Sequence, residues 1–235
     1  GNGQLGNGPT ASHSSTPVRV GTDNDWEEVS CGYYSACGRR TDHSSWCWGS
    51  NGYGQLGDGT TADRFEPAPV LGGAVWQEVH ASANHACGRK LDGSMWCWGR
   101  ARDGQVGDRT VPYYGVPVPA RVMTEQDRWT QVVPGYMSTC ALRDDQSIWC
   151  WGSRENGKLG DGIYHHRMPI SMIERDVLWR SISAGTYFSC GVKEDGTLWC
   201  WGLHTSCPAM GIAGLQSGTA VLSPTQIGTE TSWAQ

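Results

Sequence analysis

The tetrad Trp-Cys-Trp-Gly occurs four times, at Trp46–Gly49, Trp96–Gly99, Trp149–Gly152 and Trp199–Gly202, with spacings of 50, 53 and 50 residues. A second tryptophan stands twenty residues before each copy, at Trp26, Trp76, Trp129 and Trp179, and Trp233 continues that column. All 13 tryptophans of the 235-residue chain fall on this repeat. Self-similarity at such a period means a row of equal supersecondary units, each burying its apolar face against the next. Within one unit a glycine loop, Gly52-Tyr53-Gly54-Gln55-Leu56-Gly57-Asp58-Gly59, precedes a proline-flanked strand at Pro67-Ala68-Pro69-Val70. Trp76-Gln77-Glu78-Val79-His80 alternates as a strand does, and Cys87 through Trp98 is broken at Asp92-Gly93, a hairpin signal. The unit therefore holds about four short strands and no helical period, which is the pattern of a propeller blade. The expected fold is all-β, a propeller of four-stranded blades about 50 residues long, as one domain over residues 1–235. The 33 glycines suit a turn-rich β architecture, and so many tryptophans need a packed interior, which argues against disorder.

The residues now in view resemble a known family. Trp48-Gly49, then Asn51, then Gly54-Gln55-Leu56-Gly57-Asp58-Gly59-Thr60, is similar to the regulator-of-chromosome-condensation repeat, as is Ala83-Asn84-His85-Ala86-Cys87 before the hairpin. The resemblance extends over the whole chain, in a cysteine-containing variant of the repeat. Gln105-Val106-Gly107 and Lys158-Leu159-Gly160 keep the pattern, whereas Ala209–Gly218 barely does. It implies a propeller, usually of seven blades. Four complete hairpins are present, with partial units at either end. The sequence starts inside a glycine loop and stops at Trp233-Ala234-Gln235, where a further strand is due, so it is read as a segment of a longer propeller.

In each unit one cysteine precedes the tetrad cysteine by ten residues: Cys37/Cys47, Cys87/Cys97, Cys140/Cys150 and Cys190/Cys200. The midpoints are Asp42, Asp92, Asp145 and Asp195. A three-residue loop centred there sets the two cysteines directly opposite each other, within disulfide reach. Gly93 and Gly196 fall where such a loop wants a left-handed residue, a position that His43 and Gln146 fill less comfortably. The spacing does not suit zinc, whose half-sites use two to four intervening residues. Reduced thiols packed as small apolar residues are the other reading, and the fourfold recurrence favours disulfides. Each bond would close a loop of about ten residues and contribute on the order of 2–3 kcal/mol. Bonds so local are expected to hold hairpins rather than blades together. The tryptophans on either side of the tetrad cysteine point to the opposite face of the sheet, where they are expected to pack on a neighbouring blade. Cys31 and Cys207 are left over, with each other, another segment or another chain as possible partners.

No catalytic or cofactor constellation emerges. Gly52-x-Gly54-x-x-Gly57 and Gly1-x-Gly3-x-x-Gly6 match the dinucleotide fingerprint in letters only, because no strand-loop-helix unit surrounds them. His165-His166 is the one histidine doublet, and neighbours on a strand face opposite ways, so exposed loop residues are expected there rather than a metal site. The Asp-Gly pairs read as turns, not as calcium loops. No zinc-protease motif or nucleophile elbow is present. The expectation is therefore no enzyme activity, no cofactor and no metal.

Net charge is −5 with 17% charged residues, which provides no footprint for nucleic acid, and no apolar run approaches a membrane span. Disulfides point to an oxidising compartment: extracellular or secreted, the periplasm or cell surface included. The expected role is a non-enzymatic protein-binding or scaffold propeller, with self-association or glycan binding as further options. The alternatives are a secreted protein inhibitor or a sugar-binding propeller and, less favoured, a guanine-nucleotide exchange factor, an activity the family resemblance implies for intracellular members. The candidate face lies in the turn after each Trp strand, where the columns Tyr33/Tyr34, Ala83/Asn84, Tyr136/Met137 and Thr186/Tyr187 vary while Trp, Cys and Gly do not. Tyr33, Tyr34, Asn84, Tyr136, Met137 and Tyr187 are the candidate binding residues. The bland alternative is that they only cover the ends of the blades.

Overall fold

The structure, a computed structural model, describes residues 2–9, 13–73, 75–108, 114–123, 128–163, 168–204 and 218–233. The chain forms two compact units, Gly1–Asp127 and Arg128–Gln235. The first holds the antiparallel sheets β1 (Trp26–Cys31), β2 (Ser35–Arg40), β3 (Ser45–Gly49), β4 (Arg64–Pro69) and β5 (Trp76–Ala81), β6 (His85–Lys90), β7 (Met95–Gly99), β8 (Val116–Arg121). The second holds β9 (Trp129–Pro134), β10 (Ser138–Arg143), β11 (Ile148–Gly152), β12 (Met168–Ile173) and β13 (Trp179–Ala184), β14 (Phe188–Lys193), β15 (Leu198–His204), β16 (Thr219–Ile227). Each sheet is a four-stranded meander, as the repeat predicts. Among the described residues the only helical piece is a 3-10 turn at Glu155–Gly157, and no helix is long and apolar enough to cross a membrane.

The sheets are out of phase with the sequence unit. Each opens at the Trp strand, and the glycine loop joins its third strand to its fourth rather than opening it. The fourth strand lies on an edge, which is where the prolines at 67 and 69 cost no ladder bond. Asn51 fastens the loop from inside. Its Nδ2 donates to the carbonyls of Thr60 and Ala62 at 3.1 and 3.0 Å, and its Oδ1 accepts from the Leu56 amide at 3.0 Å. In the third sheet Arg154 stands in that place and binds Asp161 by charge instead.

The hairpins carry the cysteines as the spacing requires. Cys37 faces Cys47, Cys87 faces Cys97, Cys140 faces Cys150 and Cys190 faces Cys200, each pair disulfide-bonded with Cα atoms 4.0–4.1 Å apart. That separation is shorter than the roughly 4.5–5.5 Å usual between directly opposed residues of an antiparallel pair. In the first hairpin Arg40 and Ser44 close a three-residue loop, the Arg40 amide donating to the Ser44 carbonyl at 3.0 Å. The third loop position is left-handed in all four: His43 and Gln146 at φ 64°, Gly93 at 81° and Gly196 at 82°. Asp42, Asp92, Asp145 and Asp195 each accept the amide of the residue two further on, at 2.8–3.0 Å.

The disulfides also do something the loop length does not suggest: they sit in the seam between blades. In the first unit Cys37, Cys47, Leu56 and Val70 of one sheet pack against Trp76, Val79, Ala81, Ala86 and Trp98 of the next. In the second unit Cys140, Cys150, Ile148, Leu159 and Ile173 meet Trp179, Ile182 and Trp201. The second tetrad tryptophan thus packs on the neighbouring blade as expected, and the surface it meets includes the cystine.

Candidate interaction surface

The turn that follows each Trp strand is two residues long. Gly32, Ser82, Gly135 and Gly185 donate their amides across it to the carbonyls of Ser35, His85, Ser138 and Phe188 at 2.8–2.9 Å. The loop residues between them are Tyr33-Tyr34, Ala83-Asn84, Tyr136-Met137 and Thr186-Tyr187. The second loop carbonyl is pinned in every blade by the residue after the tetrad glycine. Ser50 donates to Tyr34, Arg100 to Asn84, Ser153 to Met137 and Leu203 to Tyr187, at 2.8–2.9 Å. Each loop backbone is therefore held from two sides by bonds that do not depend on the side chains displayed.

In the first unit the Tyr33 and Tyr34 side chains are 73% and 43% exposed, with ring centroids 4.6 Å apart in an edge-on pair. Asn84 is half-buried and Ala83 is buried beside it. A side chain at Gly32 would run into the Ser82 carbonyl, so successive turns of this unit lie against one another. In the second unit Tyr187 is 46% exposed, while Tyr136 and Met137 are half-buried. The Tyr136 amide donates to the Gly185 carbonyl at 3.3 Å, again joining consecutive turns. The ammonium of Lys158, a buried residue, lies 3.4 Å from the Tyr136 carbonyl and 5.9 Å from its ring centroid. Beneath Asn84, burial lowers the His85 pKa from 6.5 to about 3, and the nearby Arg100 guanidinium adds to the shift, so this imidazole is neutral at physiological pH.

Two arrangements escaped the sequence reading, although their signals are present. The first is a cation between two indoles, repeated in every blade. Arg40 lies over Trp26 and Trp46, Lys90 over Trp76 and Trp96, Arg143 over Trp129 and Trp149, and Lys193 over Trp179 and Trp199, at 3.4–5.3 Å. Its signal is a basic residue three places after each first hairpin cysteine. The second joins each hairpin loop to the first tetrad indole. That indole N–H donates to Ser44, Ser94, Ser147 or Thr197 at 2.7–3.0 Å. In the last three blades that hydroxyl donates onward to the turn aspartate at 2.5–2.6 Å. Asp-x-Ser/Thr-x-Trp was legible four times.

Cys31 is an exposed free thiol, whereas Cys207, His165 and His166 lie outside the described residues, as do positions 209–217. Among the described residues no three His, Cys, Asp or Glu side chains gather as a metal site. What the surface offers is aromatic and amide contact on fixed turns.

Four-stranded meanders packed cystine to indole, each with a glycine loop between its third and fourth strands, define blades of a β-propeller. The chain belongs to the regulator of chromosome condensation (RCC1) repeat family. Family models match residues 1–38, 42–88 and 92–142, and in a second form 26–55, 77–105 and 179–206. Among solved structures it is similar to human WBSCR16, at TM-score 0.83 and 19% identity over 97% of this chain and 60% of that one. It is likewise similar to Prp20p from Saccharomyces cerevisiae, at TM-score 0.81 and 18% identity over 94% of this chain and 55% of that one. The ectodomain of the Physcomitrella patens receptor kinase CR4 matches at TM-score 0.54 and 16% identity, over 83% of this chain and 45% of that one. The chain thus spans between about half and three fifths of the length of these relatives.

Proposed function

We propose that this chain is a non-enzymatic protein-binding propeller of an oxidising, extracellular compartment, and that each of its two units recognises partners through its two-residue turns, bearing Tyr33, Tyr34 and Asn84 in the first and Tyr136, Met137 and Tyr187 in the second. The observation that carries the reading is the contrast within those turns: backbones held by the same bonds in each blade, side chains that differ and, at Tyr33, Tyr34 and Tyr187, stand in solvent. A turn whose conformation does not depend on its side chains is free to vary them for recognition. Tyrosine combines large contact area with a hydroxyl and suits interfaces. Protein partners fit the wider family, since yeast RCC1 (Prp20) has been crystallised bound to Kap60, and Prp20p is described by its binding to Gsp1p and histones. Four disulfides in one small chain favour the extracellular assignment over a reducing one.

The test is affinity capture with the wild-type chain, followed by titration of the captured partner against a Tyr34→Ala/Tyr187→Ala double variant. Binding is expected to weaken about 5- to 30-fold, or roughly 1–2 kcal/mol, at an unchanged melting temperature. Equal affinity with an equal melt removes this face from consideration, and a collapsed melt makes the tyrosines structural. The exposed Tyr33/Tyr34 pair also has the chemistry to stack on a sugar ring, and a glycan array beside the capture experiment separates that reading.

A further inference from the structure

The seam between the first two sheets carries one arginine that the fold does not use as it uses the others. The residue after the tetrad glycine is Ser50, Arg100, Ser153 or Leu203, so only the second blade places a charge there. The Arg100 backbone is fixed, its amide donating to the Asn84 carbonyl at 2.8 Å. The glycine loop of the first blade comes in beside it, because a Cβ on Gly99 would meet both the Asn84 carbonyl and Cα of Gln55. Gln55 in turn accepts the Tyr53 amide at 2.9 Å, which sets Tyr53 in the same seam. A Cβ on Gly115 would run into the Tyr53 carbonyl, so the chain next to the exposed Tyr114 arrives there too.

Arg64 and Arg154, in the glycine loops, donate from Nε to Asp58 and Asp161 at 2.6 and 2.7 Å and so brace the loops. Arg100 does not do this. Among the described residues its guanidinium donates no hydrogen bond; Asp103 Oδ2 lies 3.5 Å away, an ion pair without a hydrogen bond. The guanidinium stands 5.6 Å from the Tyr53 ring centroid, a cation held against an aromatic face. Its side chain is 15% exposed, enough to be reached from solvent at the end of the unit that bears Tyr34 and Asn84. Asp58 is already bound to Arg64, and Asp63 accepts the Asn51 amide.

We infer that Arg100 is an anchor for a carboxylate, and that the first unit takes an acidic protein segment whose Asp or Glu side chain meets this guanidinium beside Tyr53 and the Asn84 turn. A guanidinium with its donors uncommitted matches a carboxylate in both charge and shape, and partial burial strengthens that pairing. Tyr53 and Tyr114 supply contact area around it, as aromatic neighbours of an interface arginine do. The inference rests on the protein-binding reading above and adds the chemistry of the partner.

Random peptides displayed on phage and selected on the full chain provide the test. The bound peptides are expected to share an Asp or Glu. Changing that residue to Asn or Gln in a synthetic peptide should weaken binding about tenfold. Arg100→Ser, which copies positions 50 and 153, should weaken it as much at an unchanged melting temperature, and the two changes together should cost little more than either alone. Selected peptides that share no acid overturn the inference, as does an acid whose removal costs the same with and without Arg100. If such peptides still lose affinity to a Tyr34→Ala chain, the protein-binding reading stands without this anchor; if they do not, it falls for this unit as well. Heparin that binds through Arg100 while no acidic peptide is selected assigns the guanidinium to an anionic glycan instead and overturns the inference. Should Arg100→Ser melt early, the peptide-side substitution against wild type still decides.

Discussion

Gly57 approaches the Trp98 indole more closely than any other residue type could. A Cβ there would lie 2.7 Å from Nε1 and 2.9 Å from Cδ1 of Trp98, and the backbone is left-handed at φ 69°. Gly104 is also left-handed, at φ 83°, but a Cβ there meets nothing within 4 Å. The two glycines therefore separate conformation from contact. Gly104→Ala should cost the left-handed penalty alone, about 1–2 kcal/mol. Gly57→Ala adds the clash. Trp98 is fully buried in the cluster of Cys37, Cys47, Leu56, Val70 and Val79, so the indole has nowhere to retreat. Overpacking of this kind costs about 1–3 kcal/mol, which brings the sum to roughly 2–5 kcal/mol. Urea unfolding followed by tryptophan fluorescence reads both variants on one scale. Gly160→Ala, whose Cβ would lie 2.7 Å from Trp201, should repeat the larger loss in the other unit. Equal losses for Gly57→Ala and Gly104→Ala, within about 0.5 kcal/mol, would refute the idea that the glycine is held by the indole.

Peptide mapping without reduction should find Cys37–Cys47, Cys87–Cys97, Cys140–Cys150 and Cys190–Cys200, and free thiols at these positions would remove the case for an oxidising compartment. Acid should destabilise the fold through His85. The unfolded imidazole takes up a proton near pH 6.5 and the folded one only near pH 3, so stability is complete above 6.5 and falls as pH drops toward 3. At pH 5 this loss is about 2 kcal/mol, and His85→Ser, which copies positions 35 and 138, should flatten the slope in urea titrations at pH 5 and 8. A slope unchanged by the substitution would assign the acid sensitivity elsewhere. Lys90→Met keeps the aliphatic stem but removes the charge between Trp76 and Trp96, which should lower stability by about 1 kcal/mol in the same assay. No loss would mean that the indoles pack equally well around an apolar chain.

What the sequence determined by itself is local. A cysteine pair ten residues apart around an aspartate has one hairpin register that places both sulfurs together, because turn length sets register; hence all four disulfides and the left-handed His43 and Gln146 were legible. The variable turn residues were legible as a column for the same reason. The structure alone decided what lies across a seam. Nothing in the letters says that the first hairpin's cystine meets Trp76 and Trp98, that Gly57 underlies an indole of the next sheet, or that the glycine loop closes one sheet instead of opening the next. Strand period and turn chemistry act between neighbours in the chain, whereas burial depends on which distant surface arrives, and only the folded arrangement supplies that.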